Sequence, residues 1–309
     1  MASQLRSVCS GALGMVFVGT SVSVSSRLVG APLLTAQAIR YAVAFGLLLA
    51  MISMSGVVVP RPRGSDWLWL VGVAVSGLVV FNVAIVRGVA HAEPAVIAVA
   101  VACVPVLLAV IGPIAERRTP TPTAIIAAAV VTGGGVLVVG TGRTDASGIW
   151  WAALALACEA GFTLLAVPVL PRLGAMGVSL HAVWIAAAIL AAFALPIEGP
   201  AAAAALTPGQ WLAMLHLAVV VTAAAFVLWY SAVRALGAGT AGLLTGIAPI
   251  SAAVAGIGLG AGIPALPVWL GMLVVLAGLS VGIWRDRIRP VDRNLEATSP
   301  LESTASGTA

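Results

Sequence analysis

The chain has 309 residues, of which 61% are hydrophobic and 8% charged. A soluble domain carries about 25% charged residues, so a soluble fold has too little polar surface here to cover its apolar side chains. The net charge of +5 comes from 15 arginines with no lysine. With no soluble basic domain to hold it, that charge fits a membrane topology signal, not nucleic-acid binding.

Ten apolar runs follow one another, at 8–27, 33–55, 67–87, 95–115, 123–140, 148–170, 176–195, 211–233, 240–260 and 268–284. About 20 apolar residues cross the hydrocarbon core as a helix. None of the runs alternates in polarity as a membrane β-strand would, and helices satisfy their own backbone in lipid. The expected fold is therefore an all-α integral membrane protein of ten transmembrane helices. The first run lacks a small-residue cleavage site and is expected to stay as a span. The longest connections, 56–66 and 196–210, are too short to be domains. The tail from Arg285 to Ala309 has no apolar face and is expected to be a disordered cytoplasmic segment.

Placing the N-terminus in the cytoplasm puts 11 of the 15 arginines on that side, and Arg27, Arg87 and Arg143 on the other. Both termini are then cytoplasmic, in a multi-pass protein of the cell membrane. The chain also matches itself. A shift of 145 superposes Phe17 on Phe162, Arg27 on Arg172, Phe81 on Phe226 and Pro122 on Pro267; a shift of 144 superposes Pro105 on Pro249. Five spans per half is odd, so the second half enters the membrane inverted. Inverted repeats are a device of alternating-access transporters, with the site near the midplane between the halves. The repeats are set at 8–140 and 148–284.

Two five-helix repeats, Arg40-Tyr41 inside the second span and the hinge Ala115-Glu116-Arg117 after the fourth resemble the EamA type of the drug/metabolite transporter superfamily. The second repeat departs from that pattern, with Gly260-Ala261-Gly262 where a matching Glu is common. The resemblance implies a secondary carrier of small metabolites, often an exporter of amino acids or toxic compounds, with a central cavity between the halves. It implies a small-molecule substrate; the composition already calls for a lipid bilayer around the protein, and no cofactor and no enzymatic activity are expected. Protons are candidate coupling ions, and a homodimer is an open option. The alternatives from other classes are an integral membrane enzyme acting on a lipid-linked substrate and a scaffold that transports nothing.

Glu159, mid-way along the sixth span, is the proton-coupling candidate, because a carboxylate at the bilayer centre costs a few kcal/mol and is functional by default. A paired or protonated structural carboxyl is the equal alternative. Arg40 lies about two turns into the second span, where a guanidinium can take a substrate carboxylate bidentately, snorkel outward, or pair with Glu159. Tyr41, Asn82, Trp229 and Tyr230 are further cavity candidates, against helix–helix bonding for Asn82 and an interfacial belt for Trp229 and Tyr230. Ser21 is the cavity candidate from the serine-rich end of the first span. Pro105 and Pro249 are expected to kink spans four and nine at matching depth. His91 and Glu93 read as a proton relay or as a solvated loop. Three scattered histidines and three unpaired cysteines give no metal site or disulfide framework. Gly133–Gly135 lacks the Lys-Ser/Thr ending of a phosphate loop.

Overall fold

The structure is a computed structural model and describes residues 2–28, 30–88, 90–92, 94–140, 143–258 and 263–288. The expected disordered tail and the Gly260-Ala261-Gly262 departure lie outside these residues, apart from the start of the tail. The described chain is all-helical, with one isolated antiparallel bridge, Ala92 to Thr144. Its helical rods are α1 (Ala2–Ser25), α2 (Leu33–Ser55), α3 (Asp66–Gly88), α4 (Val96–Ala115), α5 (Pro122–Val139), α6 (Ala146–Leu164), α7 (Leu170–Glu198), α8 (Pro208–Leu236), α9 (Ala238–Gly258) and α10 (Leu266–Ile288). The eight from α2 to α9 are each long and apolar enough to cross a membrane, and the apolar part of α10 (Leu266–Gly282) is shorter.

The starts of these helices follow from their sequence. Thr207 caps α8 in a capping box with Gln210, and Pro208 sits at the first turn. Thr121 accepts the Ala124 N–H ahead of Pro122 to open α5, and Asp145 accepts the Gly148 N–H to open α6. The 196–210 connection is shorter than expected, since α7 runs on to Glu198 and the alanine run winds into a short 3-10 turn at Ala202–Ala205. At its other end α7 breaks at Gly174 (φ 69°, ψ 171°), so the straight rod spans 175–198, near the expected start.

Lipid-facing and core positions are both apolar. Leu68, Ile126, Leu212 and Leu273 are exposed, as a bilayer surface requires. Inside, small residues let backbones meet. A Cβ on Gly134 would lie 2.7 Å from the Val275 nitrogen and 2.8 Å from the Gly271 carbonyl, so α5 and α10 touch main chain to main chain.

The irregularities recur at equivalent places in the two halves. Residues Ala74–Val80 of α3 and Leu217–Ala224 of α8 are π-helical. In α4 the helix is interrupted at Cys103, two residues before Pro105. In α9 a 3-10 turn at Leu244–Gly246 precedes Pro249. π-Bulges and proline-adjacent breaks are the usual causes of helix bending.

Several polar contacts between the halves lie at the helix ends. The hinge after α4 turns at Arg117, in left-handed backbone with φ 57°. Glu116 pairs with Arg118, and its Oε1 accepts the Ala238 N–H at the start of α9 (2.6 Å). Glu198, at the end of α7, accepts the Leu34 and Thr35 N–H groups of α2 at 2.9 and 2.7 Å. Arg172 of α7 pairs with Asp66 of α3 and donates to the Arg61 carbonyl. His91 meets Asp145 at 3.2 Å. The Gly148 N–H bond, with help from His91, holds the Asp145 carboxyl below the ordinary aspartate range.

Candidate functional site

The site is built where α2 meets the π-helical stretch of α8 and the part of α3 that follows its own π-helical stretch. A π turn displaces one residue from the regular ladder, and Thr222 uses the displacement: its Oγ1 donates to the Leu217 carbonyl five residues back (2.9 Å). The same oxygen accepts Arg40 Nε at 2.9 Å, while Arg40 Nη1 donates to Gln37 Oε1 at 3.2 Å. The guanidinium also lies 5.1 Å from the Tyr41 ring centroid. Arg40 is 9% exposed, so it does not snorkel. Among the described residues no ion pair joins it to Glu159 or to any other carboxylate. Tyr41, the next residue, reaches the other half of this arrangement: Asn82 Nδ2 donates to its hydroxyl at 3.2 Å and to the Leu78 carbonyl at 2.5 Å. One dipeptide of α2 thus bonds to α8 through Arg40 and to α3 through Tyr41.

Glu159 lies on α6. One turn to either side, Ala155 and Thr163 are buried, whereas Ala153 and Ala157 are exposed. Glu159 therefore faces the protein, yet it is only half-buried. Among the described residues it has no hydrogen bond or ion pair, and it lies within electrostatic reach of Tyr230. A carboxyl in that setting can bind a cationic group or hold and release a proton.

An aromatic cluster lies beside it. Phe162 packs at 4.8 Å from Phe226 and 5.0 Å from Tyr230, centroid to centroid. Gly77, in the α3 π stretch, provides the room; a Cβ there would come 2.3 Å from Phe162 Cδ2. Trp229 and Tyr230 are 3% and 0% exposed. Trp229 Nε1 donates to Thr163 Oγ1 at 3.1 Å and the Tyr230 hydroxyl to the Phe162 carbonyl at 2.9 Å. The interfacial-belt alternative fails for both, because their rings fill the core and their polar atoms are satisfied inside it.

Ser21 is half-buried near the end of α1, apart from this network. The nearby polar seams use other residues: Thr20 with His216 (3.1 Å), Ser10 with the Leu228 carbonyl (3.1 Å) and Ser251 with the Val16 carbonyl (2.7 Å). His91 is at the protein end, not in this network, and Glu93 lies outside the described residues. A crevice of about 370 Å³ between α2 and α8 is lined by Ile39, Arg40, Trp211 and Met214 among others, and none of its lining residues belongs to the Glu159 cluster.

Gln37, Thr222 and Thr163 were not singled out from sequence. Gln37 had a signal, a second polar residue at i−3 from Arg40 in an apolar span. Thr222 and Thr163 had none, since a lone Thr in a span is common and its partner lies far away in sequence.

The profile of the EamA-like transporter family matches residues 5–140 and 146–283, once over each half. The chain belongs to the EamA-like transporter family. This EamA-like protein is 25% identical over 259 residues to the uncharacterized transporter YetK of Bacillus subtilis (strain 168), covering 81% of this chain and 78% of that one. A solved crystal structure shares the fold, with a TM-score of 0.77 at 18% identity over 92% of this chain and 99% of the other. The family match and the apolar helices make this a multi-pass membrane transporter.

Proposed function

We propose that this EamA-like transporter is a secondary active exporter of small amino-acid-like metabolites or drug-like compounds, coupled to protons through Glu159. It works by alternating access, as ten transmembrane helices in two inverted five-helix repeats, in the cell membrane with both termini cytoplasmic. The repeat reading draws support from the paired π stretches and the paired breaks beside Pro105 and Pro249. The orientation rests on the arginine distribution.

The observation that carries the proposal is Glu159, a carboxyl at mid-span, facing the protein interior and free of any counter-ion among the described residues. Fixing such a group without a partner is costly in a membrane. A group that must trade a proton or cargo between two faces has to remain without one. Arg40, held by Thr222 and Gln37, is the positioned cation of the cavity wall, and Asn82 and Tyr41 present amide and hydroxyl groups beside it. Trp229 and Tyr230 act as the packed back wall.

The test compares small molecules inside and outside cells expressing the natural chain, Glu159→Gln, or no transporter, at matched membrane levels. A compound enriched outside only with the natural chain supports export through Glu159. Enrichment with both chains removes Glu159 from the cycle, and no difference from cells lacking the protein counts against export.

A further inference from the structure

At the end of the molecule that carries the hinge, two arginines reach one aspartate and a third adjoins them. Asp66 accepts the Arg63 N–H at 2.7 Å and pairs with Arg172, which in turn donates to the Arg61 carbonyl at 3.1 Å. The Arg61 and Arg63 side chains extend to the surface, so the group keeps a positive excess at the membrane boundary.

An aromatic group begins one residue further along α3. The Trp67 ring stands edge-on to His181 and Trp184 of α7, at 5.6 and 6.1 Å between centroids. Trp184 Nε1 donates to His181 Nδ1 at 3.0 Å. An indole nitrogen only donates, so Nδ1 is the acceptor and the neutral imidazole carries its proton on Nε2. Trp67 is 40% exposed and its indole N–H has no partner among the described residues. The neighbouring Leu68 is also exposed.

We infer that the α3–α7 edge at this face is a binding site for an anionic phospholipid of the surrounding leaflet. The order of groups along the membrane normal matches the order of groups in such a lipid. The arginines sit at the boundary, where a phosphate lies. The indole and imidazole N–H donors come next, at the level of the ester oxygens. Leu68 continues the surface for an acyl chain. A headgroup bearing an amine would bring a second cation against the arginines, so a lipid without one, such as phosphatidylglycerol, is favoured over phosphatidylcholine. This goes beyond the transport proposal and does not depend on it.

The test is native mass spectrometry of the full chain in detergent, titrated with dioleoyl phosphatidylglycerol or dioleoyl phosphatidylcholine. Phosphatidylglycerol is expected to be retained more tightly. Arg61→Gln and Arg63→Gln should each weaken its binding about five-fold and leave phosphatidylcholine unchanged. Trp67→Phe keeps the ring, loses the N–H, and should weaken both lipids by about five-fold. Arg6→Gln, the same charge loss on an exposed part of α1, should have no effect. Equal retention of the two lipids would overturn the inference. So would an unchanged Trp67→Phe, or an Arg6→Gln loss as large as that of Arg63→Gln, which would reduce the effect to a general attraction.

Discussion

Replacing Thr222 with Val removes the oxygen that Arg40 Nε donates to at 2.9 Å and leaves Gln37, among the described residues, as the remaining hydrogen-bond partner of a buried guanidinium. Hydrogen bonds to charged groups contribute about 1.5–3 kcal/mol in soluble proteins. Side-chain bonds inside membrane proteins average about 0.6 and reach about 1.7 kcal/mol. Because the charge stays buried after the substitution, the upper part of the membrane range applies, and Thr222→Val should cost about 1.5 kcal/mol. Arg40→Met should cost less than an isolated lost bond suggests, since Thr222 keeps its own bond to the Leu217 carbonyl. The double variant removes donor and acceptor together, so it should recover about 1 kcal/mol relative to the sum of the two single variants. Reversible unfolding in mixed micelles, read by circular dichroism across a detergent titration, gives the four free energies of the cycle. Strict additivity, or a Thr222→Val cost below about 0.3 kcal/mol, would refute the claim that the π stretch of α8 holds Arg40.

Other outcomes follow from contacts elsewhere. Glu116→Ala strips the cap from α9 and the partner from Arg118, and should lower stability by about 1 kcal/mol; Glu116→Gln keeps an acceptor and should cost less in the same titration. Gly77→Ala places a methyl against Phe162 and should destabilise by about 1–3 kcal/mol, with part of the loss recovered by Phe162→Leu. At the opposite end, the Asp145 carboxyl is depressed by the Gly148 N–H and His91, so its folded pKa lies below its unfolded value of about 3.9. That contribution is fully present above the unfolded value and is lost as pH falls through the folded one. The stability difference between the natural chain and Asp145→Asn should therefore be flat with respect to Asp145 above about pH 5 and shrink below about pH 4.

The helices could be read from the sequence because each is a long apolar run between turn-forming residues. Which face of each run points inward could not. In water a helix buries its apolar stripe, but in lipid both sides are apolar. Leu212 and Leu217 show the problem: same residue type, same helix, 70% and 0% exposed. Trp229 and Tyr230 were ambiguous for the same reason, since an indole or phenol suits either a membrane boundary or a core with a hydrogen-bond partner. Arg40 and Glu159 stood out because charge is rare in these spans. Their surroundings did not, because Thr222 lies 182 residues from Arg40 in the chain and its role depends on a π turn that no local pattern announces. The breaks near Pro105 and Pro249 were signalled by proline itself, although the interruption falls on the residues just before it, where the missing N–H and the ring leave the preceding turn unsupported.

The two carboxylate caps have a mechanical consequence. Glu116 fastens α4 to α9, and Glu198 fastens α7 to α2. Three long helical rods, α5, α6 and α7, separate the two caps along the chain, so the fastenings lie at opposite ends of the helix bundle. A carboxylate that accepts main-chain N–H groups at a helix start fixes that end of the helix to its neighbour. At the Glu116 end, the Asp66–Arg172 pair ties α7 to α3 instead of to α2. At the Glu198 end, His91 and Asp145 tie the approach to α4 to the start of α6. The two carboxylate caps thus join different helix pairs at opposite ends of the bundle, each binding a helix of one half to a helix of the other.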